Sequence, residues 1–114
     1  IYNLPIISGV RFAPHPGKKL NFDRLNAALN FLTTARDLDE SVFYEISEIV
    51  INKNNFVLYL NSLPTTFIID DEHFERTVIY LKGVIPYFKQ NDTKNIKEID
   101  LQYNNQALVR YNSK

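Results

Sequence analysis

The chain contains no cysteine. Disulfides, thiol nucleophiles and thiolate-held metals are therefore excluded. The compartment stays open, because cytosolic and exported proteins alike can do without cysteine. Only three glycines occur and none are clustered, which leaves nothing to cradle a phosphate. Charge of one sign is missing too: thirteen lysines and arginines balance thirteen aspartates and glutamates. Such a chain lacks the basic face that nucleic acid or an anionic membrane requires. No apolar run approaches the ~20 residues of a membrane span. No basic n-region marks a signal peptide. The chain opens on Ile1 rather than methionine, so it is expected to be a piece of something longer.

What remains is an ordinary globular composition. The 114 residues suit one domain with a true core. Apolar residues make up 45% and charged residues 23%.

Tyr2 to Gly9 (YNLPIISG) is apolar, and Pro5 suits an edge or extended segment. Arg11 to Lys19 has the composition of a loop. A helix follows, with Asn21 as its cap and Leu20 and Leu25 at staple spacing. Phe22, Leu25, Leu29 and Leu32 form its stripe. It should end near Arg36, before an acidic loop from Asp37 to Glu40. Val42 to Ile51 is rich in β-branched and aromatic residues and reads as a strand. Asn52 to Asn55 is a turn, and Phe56 to Leu60 is the second arm of a hairpin. Thr66 to Ile69 gives a third strand. Asp70 caps a second helix, with Ile69 and Phe74 as its staple. Its apolar face is Phe74, Val78, Leu81, Ile85 and Phe88. Gly83 and Pro86 should kink or shorten it. Asn91 to Asn95 is a turn, and Ile99 to Lys114 (IDLQYNNQALVRYNSK) reads as a closing hairpin. The order predicts an α+β domain: an antiparallel sheet, helices on one face, and a C-terminal hairpin with an open edge strand.

Candidate chemistry is thin. His15 lies between prolines and His73 in a helix first turn, and neither has a partner at metal-ligand spacing. Solvent exposure is the simpler role for both. Asp70, Asp71 and Glu72 suit the positive end of a helix dipole. Asp37, Asp39 and Glu40 lack the glycine and ligand spacing of a calcium loop. Ser8-Gly9 lacks the surroundings of a nucleophile elbow. Seven tyrosines and eight phenylalanines fall mostly at core positions, without basic neighbours to steer a polyanion. By elimination the chain reads as a binding module, without a catalytic residue, cofactor or metal. An uncovered terminal strand is what it has to offer, and proteins usually blunt such edges.

Two stretches in order, LPIISG at Leu4 to Gly9 and IDLQYNNQALVR at Ile99 to Arg110, bring a family into view. With the helix, hairpin, short strand and helix between them, the chain resembles the C-terminal β domain of the FtsQ/DivIB cell-division proteins. The likeness covers nearly the whole chain. Val10 stands where that family often has proline, and Gln102 where its DLRY string has arginine. The turn Asn104-Asn105-Gln106 lacks the common glycine. The cytoplasmic tail, membrane helix, POTRA domain and first β-domain strands of that family have no counterpart here.

The resemblance implies a non-enzymatic divisome scaffold, standing in the periplasm on the outer side of the bacterial cytoplasmic membrane and serving septum formation. In the full-length protein a single N-terminal helix would anchor it. The family's partners are FtsB/DivIC- and FtsL-like proteins, with no nucleic acid. A partner adds a strand to the last strand of the sheet. Carried over by position, the contact residues are Gln102, Tyr103, Ala107, Val109 and Arg110. This agrees with β-augmentation, where main-chain bonds give affinity and alternate side chains give specificity. Arg110 could pair with an acidic partner residue. Read without the family, Tyr103 is a packing residue and Arg110 an edge charge that discourages aggregation. Two other classes stay open: a small-ligand or catalytic α+β domain with a pocket near His73 or Glu45, and a domain of another envelope assembly.

Overall fold

The structure, a computed structural model, describes residues 4–9, 22–103 and 106–112. His15, the loop 11–19, the Asn21 cap, Leu20 of its staple, and the Asn104-Asn105 turn lie outside the described residues.

Six strands form one sheet in chain order. They are β1 (Ile6–Ser8), β2 (Ile46–Ile51), β3 (Phe56–Leu60), β4 (Thr66–Ile69), β5 (Ile96–Tyr103) and β6 (Gln106–Tyr111). Helix α1 (Phe22–Leu38) and helix α2 (Glu40–Glu45) connect β1 to β2, and α3 (Phe74–Gln90) connects β4 to β5. The domain is α+β as read from sequence, but the sheet is mixed rather than antiparallel. β1 runs parallel to β2, and β4 parallel to β5. The cause is connectivity: a strand that returns through a helix arrives parallel, whereas β2 and β3, joined through a short turn, pair antiparallel.

The core lies where the helices meet one face of the sheet. Ile46, Ile49, Ile51, Phe56, Leu58, Leu60, Phe67, Ile69, Ile99 and Leu101 are buried against them. α3 supplies Val78, Leu81, Ile85 and Phe88, as its spacing predicts. The Phe31 and Phe74 rings meet edge to face at 5.4 Å, which ties α1 to α3.

Local expectations fail at four places, each for a physical reason. The stripe of α1 keeps Leu25 and Leu32 but also carries Ala28, Phe31 and Ala35, while Leu29 is exposed. Small residues let α1 approach its neighbours closely. Asp37 to Glu40 is a helix junction rather than a loop. The Asp39 carboxylate accepts from the N–H of Ser41 at 2.9 Å and of Val42 at 3.2 Å, capping α2. That cap, with Val42 and Phe43 buried, overrides the β propensity of Val42–Glu45, so β2 starts only at Ile46. Asp70 does not cap α3. His73 holds the cap position at φ 56°, and Asp70 instead accepts from the Glu72 N–H at 3.1 Å. Finally, α3 runs through Gly83 and Pro86 to Gln90. Both residues face solvent, where water can satisfy the carbonyl that proline frees.

β1 is an edge strand, as Pro5 suggests. Gly9 follows it at φ 82°, and a Cβ there would lie 2.6 Å from the Ile51 carbonyl oxygen. Only glycine lets the chain pass β2 so closely.

Candidate functional site

β6 ends the sheet. Its inner side pairs with β5, placing Glu98 beside Arg110, Ile99 beside Val109 and Asp100 beside Leu108. The hairpin is closed at its far end by Asn112. Its N–H donates to the Asn95 carbonyl at 2.8 Å and its side-chain amide to the Lys94 carbonyl at 3.0 Å. The strand is thus held by a ladder on one side, and no described strand pairs with the other. All six of its residues are exposed. An exposed strand in this position offers a row of outward N–H and C=O groups.

The two faces of the edge differ. Ala107, Val109 and Tyr111 lie on the helix side, since Val109 pairs with core residue Ile99 and Tyr111 with Ile96. Between α3 and the hairpin on that side is a hollow of about 310 Å³, lined by Thr77, Tyr80, Leu101, Tyr103, Gln106 and Ala107, with Arg76 at its rim. Burial pushes the Tyr80 phenol above its ordinary range, so it stays neutral. Leu108 and Arg110 lie on the opposite face, with Glu98 and Asp100.

The residues carried over from sequence divide into two groups. Tyr103, Ala107 and Val109 are exposed along one side of the hairpin, and Tyr103 and Ala107 share the hollow. Gln102 turns the other way. Its side-chain amide donates to both carboxylate oxygens of Asp100 at 3.0 Å, and its N–H donates to one of them at 3.0 Å. Asp100 is 2% exposed, so these bonds replace the water it has lost. Arg110 donates to Glu98 and lies 3.9 Å from Asp100. Gln102 therefore serves the buried carboxylate, while Arg110 bonds Glu98 first and only approaches Asp100. Leu108 and Tyr111 also belong to the exposed edge, and their place in the alternation of β6 was the signal for them.

The other chemistry-bearing groups are occupied. Asp71 pairs with Arg24 at 2.8 Å, and Asp70 faces His73 at 3.3 Å and Arg76 at 3.7 Å. Glu45, beside a second concavity, accepts from Lys89 at 2.6 Å and from the Ser62 N–H at 3.1 Å. Burial raises its pKa, but the Lys89 and Ser62 bonds and the Lys89 charge outweigh that and hold it below the usual range. Ser8 donates to Glu48. Among the described residues no group of three or more acidic or histidine side chains is placed to hold a metal. Nor is any described helix long and apolar enough to cross a membrane.

No family model matches the chain, and no curated protein matches it.

Proposed function

We propose that this is a non-enzymatic scaffold domain of the FtsQ/DivIB kind, which recruits an extended segment of an FtsB/DivIC- or FtsL-like partner by strand addition to β6. In this reading it stands outside the cytoplasmic membrane and serves septum formation. One observation carries the proposal: β6 is fixed on its inner side by β5 and exposed at every position. The ordered resemblance of LPIISG and IDLQYNNQALVR supplies the family.

The division of labour follows from the geometry. The partner's main chain bonds the outward groups of β6, and this part is indifferent to sequence. Specificity comes from Tyr103, Ala107 and Val109, which offer apolar surface on the helix side. Arg110 is already paired with Glu98, so an acidic partner residue would join an existing network. Its contribution to affinity is correspondingly small.

The test is titration of a partner fragment against the domain and two variants, Tyr103→Lys and Val109→Lys. Both residues are exposed, so thermal melting should show folded domains. Binding is expected to weaken at least about tenfold in each, which is ~1.4 kcal/mol. Tyr59→Lys, on the face away from the helices, should leave it unchanged. Undiminished binding by both edge variants ends the reading.

A further inference from the structure

We infer that β6 also docks on β6 of a second copy, forming a weak antiparallel dimer in the absence of a partner. The inference uses the same edge but does not depend on who the partner is.

The backbone fixes most of the geometry. In an antiparallel pair, alternate residues turn their N–H and C=O groups toward the neighbour. A second copy must match outward-turned residues with outward-turned residues. On a twofold axis this requires the axis to pass through a residue rather than between two. The middle of Gln106–Tyr111 leaves two choices, Leu108 and Val109.

The side chains choose between them. With the axis at Leu108, Ala107 faces Val109 and Gln106 faces Arg110. With the axis at Val109, Val109 meets its own copy, Leu108 faces Arg110, and small Ala107 faces large Tyr111. Tyr111 is 66% exposed and lies on the same side of the sheet as Ala107. Beside Ala107 is the hollow of about 310 Å³ under α3, with Leu101 and Tyr103 in its walls. The Tyr111 ring of the second copy can cover Ala107 and enter that hollow. Twofold symmetry makes this contact twice, the self-complementarity that such an interface needs.

Charge permits the pairing. Arg110 is the only charged residue in β6, and Glu98 of its own sheet neutralises it. No lysine, proline or inward charge guards the strand, although edges commonly carry one. The contact is one strand pair and two tyrosines. That falls short of the ~1,000 Å² of a stable interface, so the dimer is weak and a partner strand can displace it.

Because the chain lacks cysteine, a single introduced thiol reports the axis. Both kinds of antiparallel pair set facing Cα atoms about 4.5–5.5 Å apart, within disulfide range. Under mild oxidation Val109→Cys is expected to give a disulfide dimer at least about tenfold faster than Leu108→Cys or Tyr59→Cys. By sedimentation equilibrium the unmodified 114-residue chain should show concentration-dependent dimers, and Tyr111→Lys should weaken them at least about tenfold. Far-UV circular dichroism checks that each variant is folded. Monomers up to the solubility limit, or Val109→Cys oxidising no faster than both controls, would overturn the inference. A chain that dimerises in this way yet binds no partner upholds it and counts against the scaffold reading alone.

Discussion

Arg24 joins three parts of the domain, and replacing it should cost more than an exposed arginine normally does. It projects from α1 over the Phe56 ring, 4.6 Å from its centre. From there its guanidinium donates to the Asn52 carbonyl at 2.7 Å, the Asn55 carbonyl at 3.1 Å and the Asp71 carboxylate at 2.8 Å. It therefore clamps the β2–β3 turn and the β4–α3 junction onto the first helix. The Asn55 carbonyl also accepts from the Asn52 N–H at 2.9 Å, so it keeps a partner when the arginine is lost. The Asn52 carbonyl loses its charged donor. A hydrogen bond from a charged group contributes about 1.5–3 kcal/mol, and a cation over a ring about 0.5–2 kcal/mol. The exposed pair with Asp71 adds at most about 1 kcal/mol. These terms overlap, and the expected loss for Arg24→Ala is about 2–4 kcal/mol. For a domain of this size that lowers Tm by roughly 8–16 °C. Arg24→Lys keeps the charge but not the planar fork, and should recover less than half of the loss. Urea titration of the three proteins measures the differences directly. An Arg24→Ala domain within about 0.5 kcal/mol of the parent, or an Arg24→Lys domain equal to it, would refute the clamp.

Three further outcomes follow from single residues. Gly83 lies mid-helix, and a methyl group added there would meet open space, so Gly83→Ala should stabilise the domain by about 0.5–1 kcal/mol in the same titration. Gln102→Ala removes two of the hydrogen bonds to buried Asp100 and should destabilise by about 1–2 kcal/mol, whereas the exposed Gln106→Ala should change little. Acid should weaken the fold through Asp39 and Glu45. The Ser41 hydroxyl, with the Ser41 and Val42 N–H groups and the Lys82 charge, holds Asp39 low against its desolvation, and Lys89 and Ser62 hold Glu45 low. Carboxyls with lowered folded values stabilise above their unfolded values of about 3.8 and 4.5, and that stabilisation disappears as pH falls through the folded ones. Melting curves from pH 6 to pH 2 should decline less steeply in Asp39→Asn, Glu45→Gln than in the parent.

How much of this was legible beforehand depends on where the information lies. The α3 stripe from Phe74 to Phe88 was readable because every member faces one core, and helical spacing records that directly. The closing hairpin was readable because Ile99 to Tyr111 alternates. The parallel pairs were not, since nothing within β1 or β4 marks the direction of its neighbour; the intervening helices set it. Val42–Glu45 misled because its composition favours strand while the cap at Asp39 and the burial of Val42 and Phe43 favour helix. At the edge, the alternation of β6 was readable, but the choice of Tyr103, Ala107 and Val109 came with the family resemblance; read alone, Tyr103 is a packing residue, whereas the structure leaves it half exposed. The bonds of Gln102 to Asp100, with Arg110 paired to Glu98 beside them, could not be read, because they depend on a carboxylate being buried between strands.

The central claim is that β6 accepts a further strand, and amide hydrogen exchange reads this most directly. In the free domain, at concentrations too low for it to pair with itself, alternate amides of Gln106–Tyr111 face outward and should exchange rapidly, while those bonded to β5 are slower. Saturation with an FtsB/DivIC-like fragment should slow the outward amides of β6 selectively, and leave those of β1 at the opposite edge unchanged. If the fragment binds and the β6 amides exchange at their free rates, strand addition at this edge is wrong.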